Sequence, residues 1–452
     1  MTYNLDSFCP EAWSQIEIDA TGDYKICCLA NYDKDFGMAV DKDGNVMNVL
    51  THSIKEAMNS TTHIEHRLDM SKNIKPKRCR SCYDSEDSTK GLCGASIYGD
   101  SKRQRVIQST AVDNFEYVTV YSAKDLTSAD GTLKNPKVIN LDLRFGNLCN
   151  QKCIMCSPQH SSLWYDDWIS ISNGAPQYNR DIGIYKKGET KTFNFYKDAK
   201  GKTRMEGTVP WWETDVWWKQ FDEVAPDLRY IYFTGGEPLV VPAMQECLDR
   251  LIARGYSKNI QLRYDTNLSV INDKVISKWK HFKKVFLCVS IDDTGDRYNL
   301  IRHPGNFDQI SKNILQLKDA GISIHYLSSC IGLASPYSVI RISQFAKELG
   351  ISTYFRFLEG PDWLDIRNYP KSAKLEIIKN LKKHSGDPLY EKWATAEINL
   401  LTKYIDHSEE THLAEFIRVM DILDSQRGTQ WRTVLTDVVD LYKKHCPHLY
   451  KE

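Results

Sequence analysis

From residue 138 the chain alternates, with Ile139, Leu141, Leu143 and Phe145 on one side and Asn140, Asp142 and Arg144 on the other. That period of two marks a half-buried strand. Similar runs recur at 230–234, 260–264, 285–291, 322–328 and 352–357. Between them the apolar spacing becomes helical, near 242–254, 272–280, 306–319 and 337–349. Strands alternating with helices imply parallel βαβ units and an α/β fold. Six strands are too few to close an eight-stranded barrel. They predict a partial (β/α)6 TIM-like barrel, or a doubly wound sheet, over 137–362.

The flanks read differently. Strand-like pieces at 15–18 and 24–27 are joined by a turn at Thr21, Gly22 and Asp23, and helical spacing appears at 54–58 and 64–70. Residues 1–100 are expected to form a small cysteine-rich α+β domain. A connecting segment follows over 101–136, with a strand at 117–121. Residues 171–210, rich in Gly, Lys, Thr, Asn and Tyr, read as an inserted hairpin or surface loop. Trp211, Trp212, Trp217 and Trp218 come next, and large aromatics of this kind bury area. Residues 363–452 are expected to be helical, with helical spacing at 375–381, 394–405, 412–423 and 431–442. They show no chemistry beyond packing or a partner surface.

Composition narrows the picture. The chain has 452 residues, room for two to four domains, and Lys+Arg and Asp+Glu are equal at 59. No global basic field calls for nucleic acid or an anionic membrane surface. Apolar runs such as 285–291 fall far short of the roughly 18–20 residues that cross a bilayer. The first residues carry no basic stretch followed by an apolar one, so a cytoplasmic, reducing location is expected. Thirteen cysteines, an odd count, do not suit a disulfide framework there. Cys247, Cys288, Cys330 and Cys446 stand singly and read as small buried hydrophobes.

Cys149, Cys153 and Cys156 form a C-x3-C-x2-C group directly after the first strand of the repeat. Soft thiolates so close together bind soft metals or an iron–sulfur cluster. A structural zinc site would need a fourth ligand, for which His160 is the nearby candidate. Residues 148–158 resemble the cluster loop of the radical S-adenosylmethionine (SAM) superfamily, including the Asn after the first Cys; Met155 stands where that family has an aromatic residue. The resemblance implies a [4Fe–4S] cluster on three cysteines, with one iron left open for SAM. Reductive cleavage of SAM there yields methionine and a 5′-deoxyadenosyl radical for hydrogen abstraction. Three later strand ends match the family as well. Gly235, Gly236 and Glu237, followed by Pro238, resemble its SAM amino-group motif. Thr266 and Asn267 resemble its Thr-Asn-Gly strand end, with Leu268 in place of the glycine, a departure that bears on the turn. Ser290, before Ile291 and Asp292, and Arg302, before Gly305 and Phe307, complete the pattern. The resemblance implies that these seven residues bind SAM. No acid–base residue is singled out, although Asp265, Asp292 and Asp293 lie at strand ends.

Cys9, Cys27, Cys79 and Cys82 resemble the SPASM/Twitch auxiliary-cluster domains, with Gly22 five residues before Cys27 inside a hairpin. In those families this unit usually follows the barrel, whereas here it precedes it. The resemblance implies a second [4Fe–4S] cluster on these four cysteines. A four-cysteine zinc ribbon is the competing reading. Cys28 could replace Cys27, but adjacent strand residues face opposite ways, so only one of them meets the metal; Cys93 is a spare. The resemblance as a whole implies a radical SAM enzyme supplied by an electron donor such as flavodoxin or ferredoxin. The expected substrate is a peptide or protein, with a nucleotide or other small molecule as the alternative and a non-catalytic metal or electron-transfer scaffold behind both.

Overall fold

The computed structural model describes residues 3–30, 37–86, 118–119, 121–172, 194–384 and 386–450. Cys93 lies outside them, as do Tyr117 and Val120 of the strand expected at 117–121; Val118, Thr119 and Tyr121 are described and are not in a strand. Ten strands are present among the described residues: β1 (Gln15–Ile18), β2 (Tyr24–Lys25), β3 (Asn140–Arg144), β4 (Phe195–Lys197), β5 (Thr203–Met205), β6 (Tyr230–Thr234), β7 (Gln261–Thr266), β8 (Lys284–Ser290), β9 (Ile324–Ile331) and β10 (Thr353–Phe357). All six strands expected in the repeat are there. So are the helices between them, at Pro242–Ala253, Asp273–Trp279, Phe307–Asp319 and Ser338–Leu349. The fold is α/β with mostly parallel strands and a helical C-terminal region.

The chain divides into two compact units. The first comprises Met1–Leu148, Gly207–Asp265 and Asn272–Phe286. In it β1 pairs antiparallel with β2 and, along its other edge, parallel with β3, with Gln15 opposite Asn140 and Ile18 opposite Leu143. β3 pairs parallel with β6, and β6 with β7. The cysteine-rich hairpin thus extends the same sheet as the first strand of the repeat. One side of β3 packs as expected: Trp211 and Trp217 are fully buried, with ring centroids 5.5 and 5.9 Å from Phe145.

The other side of β3 is polar yet closed to solvent. Asp142 is 1% exposed and Asn140 donates to Glu11 at 2.8 Å. Arg144 Nε lies 2.9 Å from Glu17 Oε1, an ion pair without the alignment of a hydrogen bond. Tyr232 donates to Asp265, and Arg263 stacks over the Tyr232 ring at 4.9 Å. A period of two therefore marks two buried faces here, one apolar and one charge-paired.

The turn after β6 is packed against the end of this first unit's β3 segment. Gly235 has φ +112°, in the region that favours glycine. A Cβ on Gly236 would stand 2.2 Å from the carbonyl oxygen of Leu148 and 2.9 Å from the carbonyl carbon of Asn147. Backbone would have to move, so only glycine fits. Glu237 N–H donates to the same Leu148 oxygen at 2.8 Å.

The second unit comprises Cys149–Glu206, Thr266–Ile271 and Leu287–Glu452. It holds the parallel pairs β8–β9 and β9–β10 and the antiparallel hairpin β4–β5 within the expected insertion. Its C-terminal helices are Lys371–Lys382, Pro388–Lys403, Glu410–Arg427, Trp431–Val434 and Thr436–His445. Asp293 is the buried centre of an ion-pair group there. It meets Arg341 through both oxygens, at 2.6 and 2.7 Å, and Arg297 at 2.8 Å, and both arginines also reach Asp437. Glu397 is fully buried without a hydrogen-bond partner among the described residues, and burial drives its carboxyl well above the usual range, only partly opposed by Arg341.

Gly236→Ala should destabilise the fold by about 3 kcal/mol, as overpacking against backbone does; melting curves check it. A raised folded-state pKa means that Glu397 costs stability as pH climbs above the unfolded carboxyl value of about 4.3. Glu397→Met should therefore raise the melting temperature more at pH 8 than at pH 5, by on the order of 1–2 kcal/mol of stability at the higher pH. An equal gain at both would contradict the buried neutral carboxyl.

Candidate functional site

The cysteine loop has little regular structure. One turn, Cys156 N–H to Cys153 O at 2.9 Å, is internal. Its other anchors come from elsewhere in the second unit. Lys152 N–H donates to His303 O at 2.7 Å and Ile154 N–H to Ile301 O at 2.9 Å, a short ladder against the segment that carries Arg302. Ser161 Oγ donates to Gln151 O at 2.6 Å, and Trp164 Nε1 to Cys153 O at 3.0 Å. Asn150 accepts from Asn267 Nδ2 at 3.0 Å and donates to Ser269 Oγ at 2.7 Å. The second unit thus brings Cys149, Cys153, Cys156, Thr266, Asn267 and Arg302 together.

Leu268 holds the turn that the family's glycine would make. It is buried and has φ +51°, a conformation that costs an L-residue about 1–2 kcal/mol. Hydrogen bonds oppose that cost. Leu268 N–H donates to Thr266 Oγ1 at 2.9 Å, Asn313 Nδ2 donates to Leu268 O at 2.7 Å, and Asn267 Oδ1 accepts from the Ser269 N–H and hydroxyl. Thr266 and Asn267 are therefore turn-makers as well as candidate SAM contacts.

Arg302 is largely but not fully buried and is committed on two sides. Its Nε lies 2.7 Å from Asp292 Oδ2, an ion pair, and its Nη1 lies 3.8 Å from Cys153 Sγ. Asp292 also accepts from the Cys330 N–H at 2.8 Å. A hydrogen bond from Cys156, then the Arg302 charge, draws the Cys153 thiol below its usual range against burial. The Cys156 thiol, as donor, is pushed well above it. Three crowded thiols at this depth cannot all ionise without a compensating cation, which a metal cluster supplies. Ser290 ends β8 opposite Ser328. Glu237 is buried and caps the turn Pro238–Val240 through Leu239 N–H at 3.1 Å.

In the first unit, Cys9, Cys27, Cys79 and Cys82 line one cavity of about 40 Å³, together with His63, His66, Glu11 and apolar Ala12, Ile26 and Met70. Cys9 precedes the helix Glu11–Ser14, Cys27 follows β2, and Cys79 and Cys82 lie three apart where a single turn runs into the helix Arg80–Glu86. Cys28 does not line the cavity; its charge acts on Arg144 and Tyr232. Burial, then the negative charges of Glu11, Cys79 and Cys82, raises the Cys9 thiol well above its usual range. The four thiols surround one space. Four soft thiolates so placed suit an iron–sulfur cluster or a zinc ion.

Buried Arg67 ties the walls of this region together, donating to Gly131 O, Ala12 O, Met58 O and Asn59 Oδ1 at 2.8–3.0 Å. His66, which sequence reading missed, meets Cys79 Sγ through Nε2 at 3.3 Å, while its Nδ1 meets Thr62 O at 3.2 Å. Because a carbonyl only accepts, Nδ1 carries a proton. The available signal was His63, His66 and Met70 at helical spacing ahead of the cysteine pair.

The model of the radical SAM superfamily matches residues 143–333, and that of the SPASM iron-sulfur cluster-binding domain matches residues 9–83. None of the curated proteins matches the chain. Among solved structures the chain is similar to native anSMEcpe with bound AdoMet, at 15% identity and TM-score 0.36, covering 60% of this chain and 64% of that one. It is also similar to Streptococcus suis SuiB bound to precursor peptide SuiA, at 12% identity and TM-score 0.34, covering 68% of this chain and 58% of that one. The chain thus spans less than two thirds of the length of these solved chains. The radical SAM domain implies a [4Fe–4S] cluster and SAM, and the SPASM domain implies further iron–sulfur. The chain carries a radical SAM domain over residues 143–333, with an SPASM iron–sulfur cluster-binding domain over residues 9–83 ahead of it.

Proposed function

We propose that this chain cleaves SAM reductively at a [4Fe–4S] cluster held by Cys149, Cys153 and Cys156, and that it modifies a peptide or protein. The observation that carries this reading is the anchoring of one cysteine loop to both the Arg302 segment and the Asn267 turn within a single unit. When bound, the cluster and SAM supply a one-electron cleavage and a 5′-deoxyadenosyl radical; the chain's part is to bind, orient and insulate.

In this reading Gly235, Gly236 and Glu237 form the methionine end of the SAM site, and Thr266, Asn267, Ser290 and Arg302 complete it. Asp292 holds the Arg302 guanidinium at the loop, where the positive charge offsets the thiolates. Cys9, Cys27, Cys79 and Cys82 hold an auxiliary [4Fe–4S] cluster, with His66 as the hydrogen-bond partner of Cys79. The SPASM match supports iron–sulfur over zinc. The SPASM domain also favours a peptide or protein substrate over a small molecule. An electron donor such as flavodoxin or ferredoxin and a reducing cytoplasm suit the chemistry. Among the described residues no helix is long and apolar enough to cross a membrane.

Anaerobic protein should carry about eight irons per chain and, with SAM and reductant, release 5′-deoxyadenosine; Cys153→Ala should reduce that release to background. Wild-type protein that releases none would sink the catalytic reading. About four irons with one zinc would reassign the N-terminal site alone. Mass shifts confined to metabolites, with none in peptides, would replace the substrate class.

A further inference from the structure

Arg427 ends the helix Glu410–Arg427, in the stretch where sequence shows packing surface and nothing more. Gly428 follows with φ +66° and closes the helix there. The Arg427 side chain is 1% exposed. Its Nε donates to Asp167 Oδ2 at 2.7 Å, and the other Asp167 oxygen takes Lys152 Nζ at 2.8 Å. Lys152 lies between Cys149 and Cys153. The guanidinium sits 4.9 Å over the Trp164 ring, and Trp164 Nε1 in turn donates to the Cys153 carbonyl. These contacts connect the end of a C-terminal helix to the cysteine loop inside the second unit.

Two features of this group are left over by packing. First, Arg427 Nη2 is buried and has no acceptor among the described residues. Second, Lys152 and Arg427 set two cations against the single carboxylate of Asp167, while Arg302 already has Asp292. Among the described residues, one positive charge beside the loop is therefore left over by these two carboxylates. Cys153 and Cys156 are near enough for their charges to act on Arg427. Burial and the same two cations hold His303 down to about 4, so it adds no charge at neutral pH. A buried guanidinium N–H at such a position requires an acceptor, and sulfur ligands carrying negative charge are acceptors.

We propose that Arg427 is a positioning residue for the SAM-binding cluster: its Nη2 donates a hydrogen bond to a sulfur of the cluster on Cys149, Cys153 and Cys156, and its charge raises the reduction potential of that cluster. This rests on the cluster reading given above. Hydrogen bonds and positive charge near the sulfurs stabilise the more negative, reduced state. The C-terminal helices are on this account part of the redox site.

The test is a spectroscopic reductive titration of the reconstituted full-length protein without SAM. The SAM-binding cluster is identified by its spectral change on later SAM addition. Arg427→Gln should shift the midpoint of that cluster to lower potential and leave the auxiliary cluster unmoved. Arg427→Lys, which keeps the charge for Asp167 but lacks the forked donor, should shift it in the same direction by less, at full iron content. Unchanged midpoints in both variants, equal shifts in both clusters, or an effect seen only on SAM affinity would overturn the proposal. If Arg427→Gln fails to hold iron, the lysine variant decides by the same criterion. A wild-type protein with no SAM-responsive cluster would instead refute the cluster reading, and this inference with it.

Discussion

Charge at the cysteine loop is the constraint around which the second unit is arranged. Thiolates must carry negative charge to bind iron, and a buried negative charge is costly without a partner. The loop's own cation, Lys152, is already paired with Asp167. Arg302 comes from the segment after β8 and is held by Asp292; Arg427 comes from a C-terminal helix and is held by Asp167. Each cation is thus positioned by a carboxylate before any ligand is present. That preorganisation holds a stretch of chain with little regular structure in one geometry.

The N-terminal cavity draws its thiols from three separate stretches of chain. In the same unit buried Arg67 donates to four oxygen acceptors. Burial holds Arg67 down to about 9, only partly opposed by Tyr3 and Asp130. Tyr24 and Gln220 join the hairpin to the helix Asp215–Val224 by a buried hydrogen bond of 2.8 Å, so the cavity wall is continuous with the sheet of the first unit. The pairing of β1 with β3 makes the same point in backbone terms.

Much of this was legible in the chain itself. The six strands and the helices between them follow from local periodicity, which depends only on side-chain direction along a regular backbone. The cysteine triplet was legible because its three ligands are close in sequence. The strand expected to reach Cys27 ends at Lys25, so alternation does not separate Cys27 from Cys28; the cavity does, since Cys27 lines it and Cys28 does not. Leu268 illustrates a limit: a glycine position taken by leucine looks disruptive until Thr266, Asn313 and Ser269 are seen bonding the turn.

The sequence by itself determined element type, the strand–helix order and the residues able to ligate iron, because these depend on neighbours in the chain. Only the tertiary structure decided that the polar side of β3 is buried, that β1 joins β3, and that Gly236 is needed for contact with Leu148. It alone revealed His66 beside Cys79 and Arg427 beside the loop. Each of these is a contact between residues far apart in sequence, and its energy comes from burial and from charges brought close by folding. No pattern of local spacing records such a contact.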